Sequence, residues 1–246
     1  MSPSDLPEPP ALDALLAEGP MALFLDFDGT LVEIAETPDT IVVPGDLVAR
    51  ICALEKRLGG RLAVVSGRAL DDLEKHTGAL PVACAGSHGS DRRAASGGTV
   101  GEPPVSLAHE ARQEIADFAE RKGFSLEEKT HGAALHYRAD PSLEQAGLAF
   151  AEELAEKFDL KVKRGKRVIE LVADGSDKAS AVRAFMDSKP FLSARPVFIG
   201  DDVTDEDGMR AAADLGGFGI AVGERESDNA RYALASPAAV HHWLDL

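Results

Sequence analysis

The stretch MALFLDFDGTL, residues 21–31, decides how the rest of the chain is read. Met21 to Leu25 are continuously apolar, the pattern of a strand buried on both faces of a parallel sheet. The strand then delivers Asp26 and Asp28 into a turn at Gly29, followed by the Thr30 hydroxyl. Open α/β sheets bind their ligands at the carboxyl ends of their strands, which is where these residues fall. If the backbone turns at Phe27–Asp28, both carboxylates converge on one small volume and repel unless a cation sits between them. The run therefore implies a Mg²⁺-dependent site with one aspartate free to act as nucleophile. An acidic turn at a strand end is the plainer reading of the same residues.

At 246 residues the chain has room for one large domain, or for a core with a smaller partner. Its formal net charge of −16 argues against a general nucleic-acid or anionic-membrane binder, because phosphate backbones demand basic surface. A small phosphorylated substrate stays open, since it needs only a local metal, a lysine and amide donors. Cys52 and Cys84 are too few for a disulfide framework, which points to a reducing compartment. The first 20 residues carry neither the basic segment nor the apolar core of a signal peptide. No apolar run approaches the roughly 20 residues that span a bilayer. A cytoplasmic protein without nucleic-acid or membrane partners is expected, with a monomer favoured.

Strands and helices alternate through the first hundred residues. Strands are expected at Leu23–Leu25, Leu62–Val65 and Val82–Ala85, with helices at Gly45–Leu58 and Leu70–Thr77. This order indicates a doubly wound parallel sheet. Between Pro103 and Asp174 the pattern changes to helix, hairpin, helix, hairpin. Helices are expected at Ala108–Arg121 and Leu143–Phe158, and strands at Phe124–Lys129, Ala133–Arg138, Lys161–Lys163 and Arg167–Val172, with a turn at Arg164–Gly165–Lys166. That is a small antiparallel α+β module, flanked by credible hinges at Ser96–Pro104 and Asp174–Ser176. The sheet pattern then resumes. A helix at Lys178–Phe185, a strand at Val197–Ile199 and a helix at Thr204–Ala213 lead to a last strand at Gly219–Val222 and a helix at Pro237–Leu246. The expected architecture is an α/β doubly wound core, residues 1–103 and 174–246, with an α+β cap inserted at 104–173.

Three further motifs fall at strand ends or helix starts of that core. Ser66–Gly67–Arg68 offers a hydroxyl and amides at a loop entering a helix, a ready anion site that is also an ordinary turn. Lys178 opens a helix, where the dipole disfavours a cation. Its use there is a point charge against phosphoryl oxygens and a nucleophilic carboxylate. Gly200–Asp201–Asp202–Val203–Thr204–Asp205–Glu206–Asp207 is costly without a bound cation. An EF-hand fails here, because placing Gly208 at the sixth loop position puts Val203 at the first.

Taken in order, DFDGT, SGR, the helix-opening Lys178 and GDDVTD resemble the four loop motifs of the haloacid dehalogenase-like phosphohydrolases. The resemblance implies that Asp26 is the nucleophile and forms an aspartyl-phosphate, while Asp28 is the acid and then the base. Ser66 and Lys178 would hold the phosphoryl group, with Gly67 and Arg68 beside it. Mg²⁺ would be bound by Asp26, Asp201 and the backbone carbonyl of Asp28, with Asp202 and Asp205 supporting that shell and Asp202 facing substrate.

AGSHGSDRR (Ala85–Arg93), LEEKTHGAALHYR (Leu126–Arg138), GKRVIEL (Gly165–Leu171) and GDDVTDED further resemble the bacterial trehalose-6-phosphate phosphatases over nearly the whole chain. Ala179 departs from the glycine usual after the lysine. By this likeness Glu127, Lys129 and Glu170 would read the sugar of a sugar-phosphate substrate, with His88 and Gly89 near the core–cap junction. Carboxylates and ammonium groups suit sugar hydroxyls because each exchanges several hydrogen bonds. The alternatives are another sugar-phosphate phosphatase, acting on sucrose phosphate or mannosylglycerate phosphate, and a non-catalytic sugar-phosphate sensor.

Overall fold

Every residue of strand β1 (Met21–Leu25) is buried, as its uninterrupted apolar run demands. Met21, Leu23 and Leu25 enter one core layer, and Ala22 and Phe24 enter the layer on the other side of the sheet. The structure, a computed structural model, describes residues 6–35, 40–102, 106–129, 131–165, 167–173 and 177–246, with Lys129 placed by its backbone. The chain divides into two compact units, Met1–Pro103 with Asp177–Leu246, and Pro104–Ser176.

In chain order, α1 (Leu12–Glu18), β1, α2 (Leu47–Arg57), β2 (Leu62–Val65), α3 (Leu70–Thr77), β3 (Ala83–Gly86) and β4 (Asp91–Arg93) open the first unit. The second unit holds α4 (His109–Lys122), β5 (Ser125–Lys129), β6 (Gly132–His136), α5 (Glu144–Phe158), β7 (Leu160–Gly165) and β8 (Val168–Ala173). The first unit is completed by α6 (Lys178–Met186), β9 (Arg195–Gly200), α7 (Asp205–Asp214), β10 (Phe218–Val222), β11 (Ala230–Leu234) and α8 (Pro237–Leu244).

The first unit's sheet has the order β11-β10-β9-β1-β2-β3-β4, parallel throughout except for β4. From β1 the chain builds outward through β2 and β3 on one side and through β9, β10 and β11 on the other. The order therefore reverses between β1 and β9, and the crevice at a doubly wound sheet's ligand end opens there. Leucines of α1, α2 and α3 cover one face, and Val182, Phe185, Met209 and Ala212 of α6 and α7 cover the other.

Three elements depart from the sequence expectations. Gly219–Val222 is not the last strand, because β11 pairs in parallel beside it. Its sequence ARYAL is fully buried only at its end, as an edge strand's can be. Strand β4 is the charged tripeptide DRR, held by pairing with β3 rather than by an apolar pattern. The N-terminal stretch, which carries no motif, forms α1 and buries Leu12 and Leu15.

In the second unit the antiparallel order is β5-β6-β8-β7. Ile115, Phe118, Ala151 and Leu154 of α4 and α5 pack with Leu135, Ile169 and Leu171 on one face. Strand alternation sends Glu127, Ala134, Glu170 and Lys163 to the opposite face, where register aligns them in one row across four strands. Of the segments read as hinges and turns, residues 103–104, Lys166 and 174–176 lie outside the described residues.

Candidate active site

Asp26 extends β1 by one residue, its amide donating to the Ile199 carbonyl at 2.9 Å. The chain then turns sharply. The Phe27 carbonyl accepts from Leu31 (2.9 Å) and Val32 (3.1 Å), as the DGT turn expected from sequence requires. Gly29 has φ of +81°, and a Cβ there would lie 2.2 Å from Asp201 Oδ2. Only glycine lets the two loops close to this separation.

The close packing brings Asp26, Asp201 and Asp205 together, with carboxylate oxygens within 4.8 Å of one another. Lys178 joins two of them. Its Nζ donates to Asp26 Oδ1 at 2.6 Å and to Asp205 Oδ1 at 2.5 Å. Lys178 is 3% exposed and Asp205 0%. This accounts for a cation at the start of α6, where Asp177 and Ser180 form a capping box. The helix dipole opposes the charge, and two buried carboxylates outweigh it.

The electrostatics follow from this crowding. Burial first, then Asp205, hold the Asp26 carboxyl well above the usual carboxylate range, with Lys178 only partly opposing. Burial alone would lower the Lys178 ammonium, but Asp26 and Asp205 raise it above the ordinary lysine value. Asp201 is pushed up to about 6 by burial, Asp205 and Asp202. Its Oδ1 is buried and has no hydrogen-bond partner among the described residues. An all-oxygen set with an orphaned carboxylate oxygen suits a hard divalent cation, and Asp26, Asp201 and Asp205 fit one.

Asp28 faces a different partner. Arg68 grips its carboxylate from Nε and Nη2, both at 2.7 Å, and turns Nη1 to Asp72 at 2.9 Å. That fork is the strong, planar mode of arginine–carboxylate pairing. Ser66 is fully buried beside it, its Oγ accepting from the Arg68 amide at 3.1 Å. The His88 amide donates to the Ser66 carbonyl at 3.0 Å, and its ring lies against Gly67. Gly89 abuts the Asp177 carbonyl next to Lys178. Asp202 is exposed. Its amide donates to Asp205 Oδ2 at 2.8 Å and its Oδ1 accepts from the Val203 amide at 2.7 Å.

The remaining residues singled out from sequence belong to the second unit. Glu127 and Glu170 share the helix-free face, one on each side of Ala134, and Glu127 Oε2 meets His136 Nε2 at 2.9 Å. The Lys129 side chain lies outside the described residues. Sequence reasoning missed Arg225, which reaches the backbone of the Asp201–Asp202 loop. Its only local signal is one arginine in an acidic loop.

Sheet order, the switch point between β1 and β9 and the loop motifs define a fold of the haloacid dehalogenase-like kind. A haloacid dehalogenase-like hydrolase from Bacteroides thetaiotaomicron matches this fold with a TM-score of 0.71 at 15% identity, covering 92% of this chain and 98% of that one. The sequence narrows the class. The model of the Trehalose-phosphatase family matches residues 24–238, and the chain belongs to that family of phosphatases. It is 34% identical over 228 residues to the trehalose-6-phosphate phosphatase of Escherichia coli, covering 92% of this chain and 85% of that protein. It is 38% identical over 215 residues to a protein of Sinorhizobium fredii named "Probable trehalose-phosphate phosphatase", covering 82% and 77% respectively. Among the described residues no helix is long and apolar enough to cross a membrane.

Proposed function

We propose that this enzyme hydrolyses trehalose 6-phosphate to trehalose and phosphate with Mg²⁺, through an aspartyl-phosphate on Asp26. The observation that carries the reading is the cluster of buried Asp26, Lys178 and Asp205 with part-buried Asp201 at the switch point. Asp26 Oδ2 is the oxygen left for attack, since Lys178 holds Oδ1. Attack forms the bond from Asp26 to phosphorus as the bond to the sugar oxygen breaks, and Asp28 gives that oxygen its proton. Asp28 then takes a proton from water, which attacks the same phosphorus and releases the Asp26 carboxylate. Arg68 orients Asp28 for both transfers. Lys178 and Ser66 hold phosphoryl oxygens. When bound by Asp26, Asp201, Asp205 and the Asp28 carbonyl, Mg²⁺ supplies positive charge against the phosphoryl group.

The Pro104–Ser176 unit acts as the sugar-reading cap, with Glu127, Lys129 and Glu170 as its readers and His88 and Gly89 assisting. The shared face of Glu127 and Glu170 supports this role. Phosphate release from a panel of sugar phosphates, with Mg²⁺ and with EDTA, tests the reading. Trehalose 6-phosphate is expected to be turned over fastest, and only with metal. Preference for sucrose phosphate or mannosylglycerate phosphate would overturn the substrate, and metal-dependent release from no member would favour a sensor.

A further inference from the structure

Residues 201–207 crowd five acidic side chains into one loop and helix start. Like charges at this density repel, and the pairing of Asp205 with Lys178 and with the Asp202 amide answers only part of that repulsion. Arg225, in the loop between β10 and β11, supplies a clasp. Its Nε donates to the Asp201 carbonyl at 3.0 Å and its Nη2 to the Asp202 carbonyl at 3.1 Å. Gripping two successive carbonyls with one planar group restrains rotation of the peptide units that aim Asp201.

The guanidinium is itself fixed. Glu206, in the first turn of α7, accepts from Arg225 Nη2 at 2.5 Å. Glu206 Oε2 accepts from the Asn229 amide at 3.0 Å, Asn229 Nδ2 at 2.8 Å and the Asp228 amide at 3.3 Å. Arg225 Nη1 turns back to the Glu226 carbonyl at 2.6 Å. The β9–β10 register, Gly200 opposite Ala221, brings the two loops side by side. Neither Arg225 nor Glu206 touches the three-carboxylate pocket, so both would act through the backbone.

We propose that Arg225, locked by Glu206, is a positioning residue that presets Asp201 for the divalent cation, so that its loss weakens metal binding. The inference rests on the Mg²⁺ reading of the pocket. Mn²⁺ titration of the metal-free protein, followed by the free-ion EPR signal with Mg²⁺ competing, reads affinity without turnover. Wild type is expected to bind one ion that Asp201→Asn abolishes. Arg225→Ala is expected to bind about tenfold more weakly, the low end for residues that orient metal ligands. Arg225→Lys, which keeps the charge but not the fork, is expected to fall between and serves if the alanine variant fails to fold. Equal affinity in folded variants and wild type, with only a lower melting temperature, would overturn the clasp. Wild type that binds no ion would instead overturn the metal reading, and the clasp with it.

Discussion

The two units carry their charges in opposite ways. In the larger one, Asp26, Lys178 and Asp205 are buried, and Lys178 bonds both carboxylates at 2.5–2.6 Å. On the smaller unit's open face, Glu127 and His136 pair at 2.9 Å while about half exposed. Buried charges cost several kcal/mol each to desolvate and persist only in a geometry that returns it. Exposed pairs contribute about 0–1 kcal/mol and are free to be exchanged. A phosphoryl group is the same in every substrate of such an enzyme, whereas the sugar differs. On the proposed reading, the rigid, desolvated set meets the phosphoryl group and the half-solvated pair meets the sugar.

The contrast breaks most visibly at Asp26. Asp26→Asn is expected to lower kcat by about 10⁴-fold or more, the scale for removing a nucleophile. Burial and Asp205 make an ionised Asp26 unfavourable in the metal-free fold, so the same variant should melt no lower than wild type, or higher. Retained turnover would remove Asp26 as nucleophile, and a large loss of stability would refute the idea that the site is strained by charge. Lys178→Met tests the reverse. It strands two buried carboxylates and is expected to cost about 3–5 kcal/mol of stability along with activity, measured by urea denaturation. A cost below 1 kcal/mol would mean that the site is far wetter than its burial indicates.

A smaller effect follows from Asp201. Its folded pKa of about 6 lies above the ordinary aspartate value, so its contribution to stability is fully present near pH 4 and is lost as pH rises through 6. In EDTA the ionised group should cost on the order of 1 kcal/mol at pH 7, screened because it is only part-buried. The gain in melting temperature of Asp201→Asn over wild type should therefore shrink between pH 7 and pH 5. Metal binding requires the carboxylate, so Mn²⁺ affinity should fall below pH 6. A stability gap independent of pH would contradict the crowding of Asp201 by Asp205 and Asp202.

The legibility of these features divides along the same line. Strand β1 and the motifs at residues 26–30, 66–68 and 201–205 were readable because a parallel core strand is apolar throughout and its polar residues collect at one end, and Lys178 because a cation opening a helix is out of place. Strands β4 and β11 were not, since DRR and ARYAL owe their conformation to a neighbouring strand rather than to their own pattern. The Arg68–Asp28 fork and the Arg225 clasp were also hidden. Their contacts join residues 19 to 40 positions apart that strand order makes adjacent, so the SGR motif marks Arg68 without showing that Asp28 is its partner, and no motif marks Arg225.

The least disruptive change separates recognition from chemistry. Glu127 is half exposed on β5, so Glu127→Ala should alter stability by no more than about 0.5 kcal/mol. If its carboxylate holds sugar hydroxyls, losing one or two charge-assisted hydrogen bonds should lower kcat/KM for trehalose 6-phosphate by about 10- to 100-fold. p-Nitrophenyl phosphate, which has no sugar to read, should be turned over almost unchanged. His136 offers a control, because its contact is with Glu127. If it only steadies that carboxylate, His136→Ala should give a weaker copy of the same discrimination, and the double variant should lose little more than Glu127→Ala alone. Equal losses on both substrates would place Glu127 in the general architecture of the enzyme, and the division between rigid chemistry and adaptable recognition would fail at the residue chosen to show it.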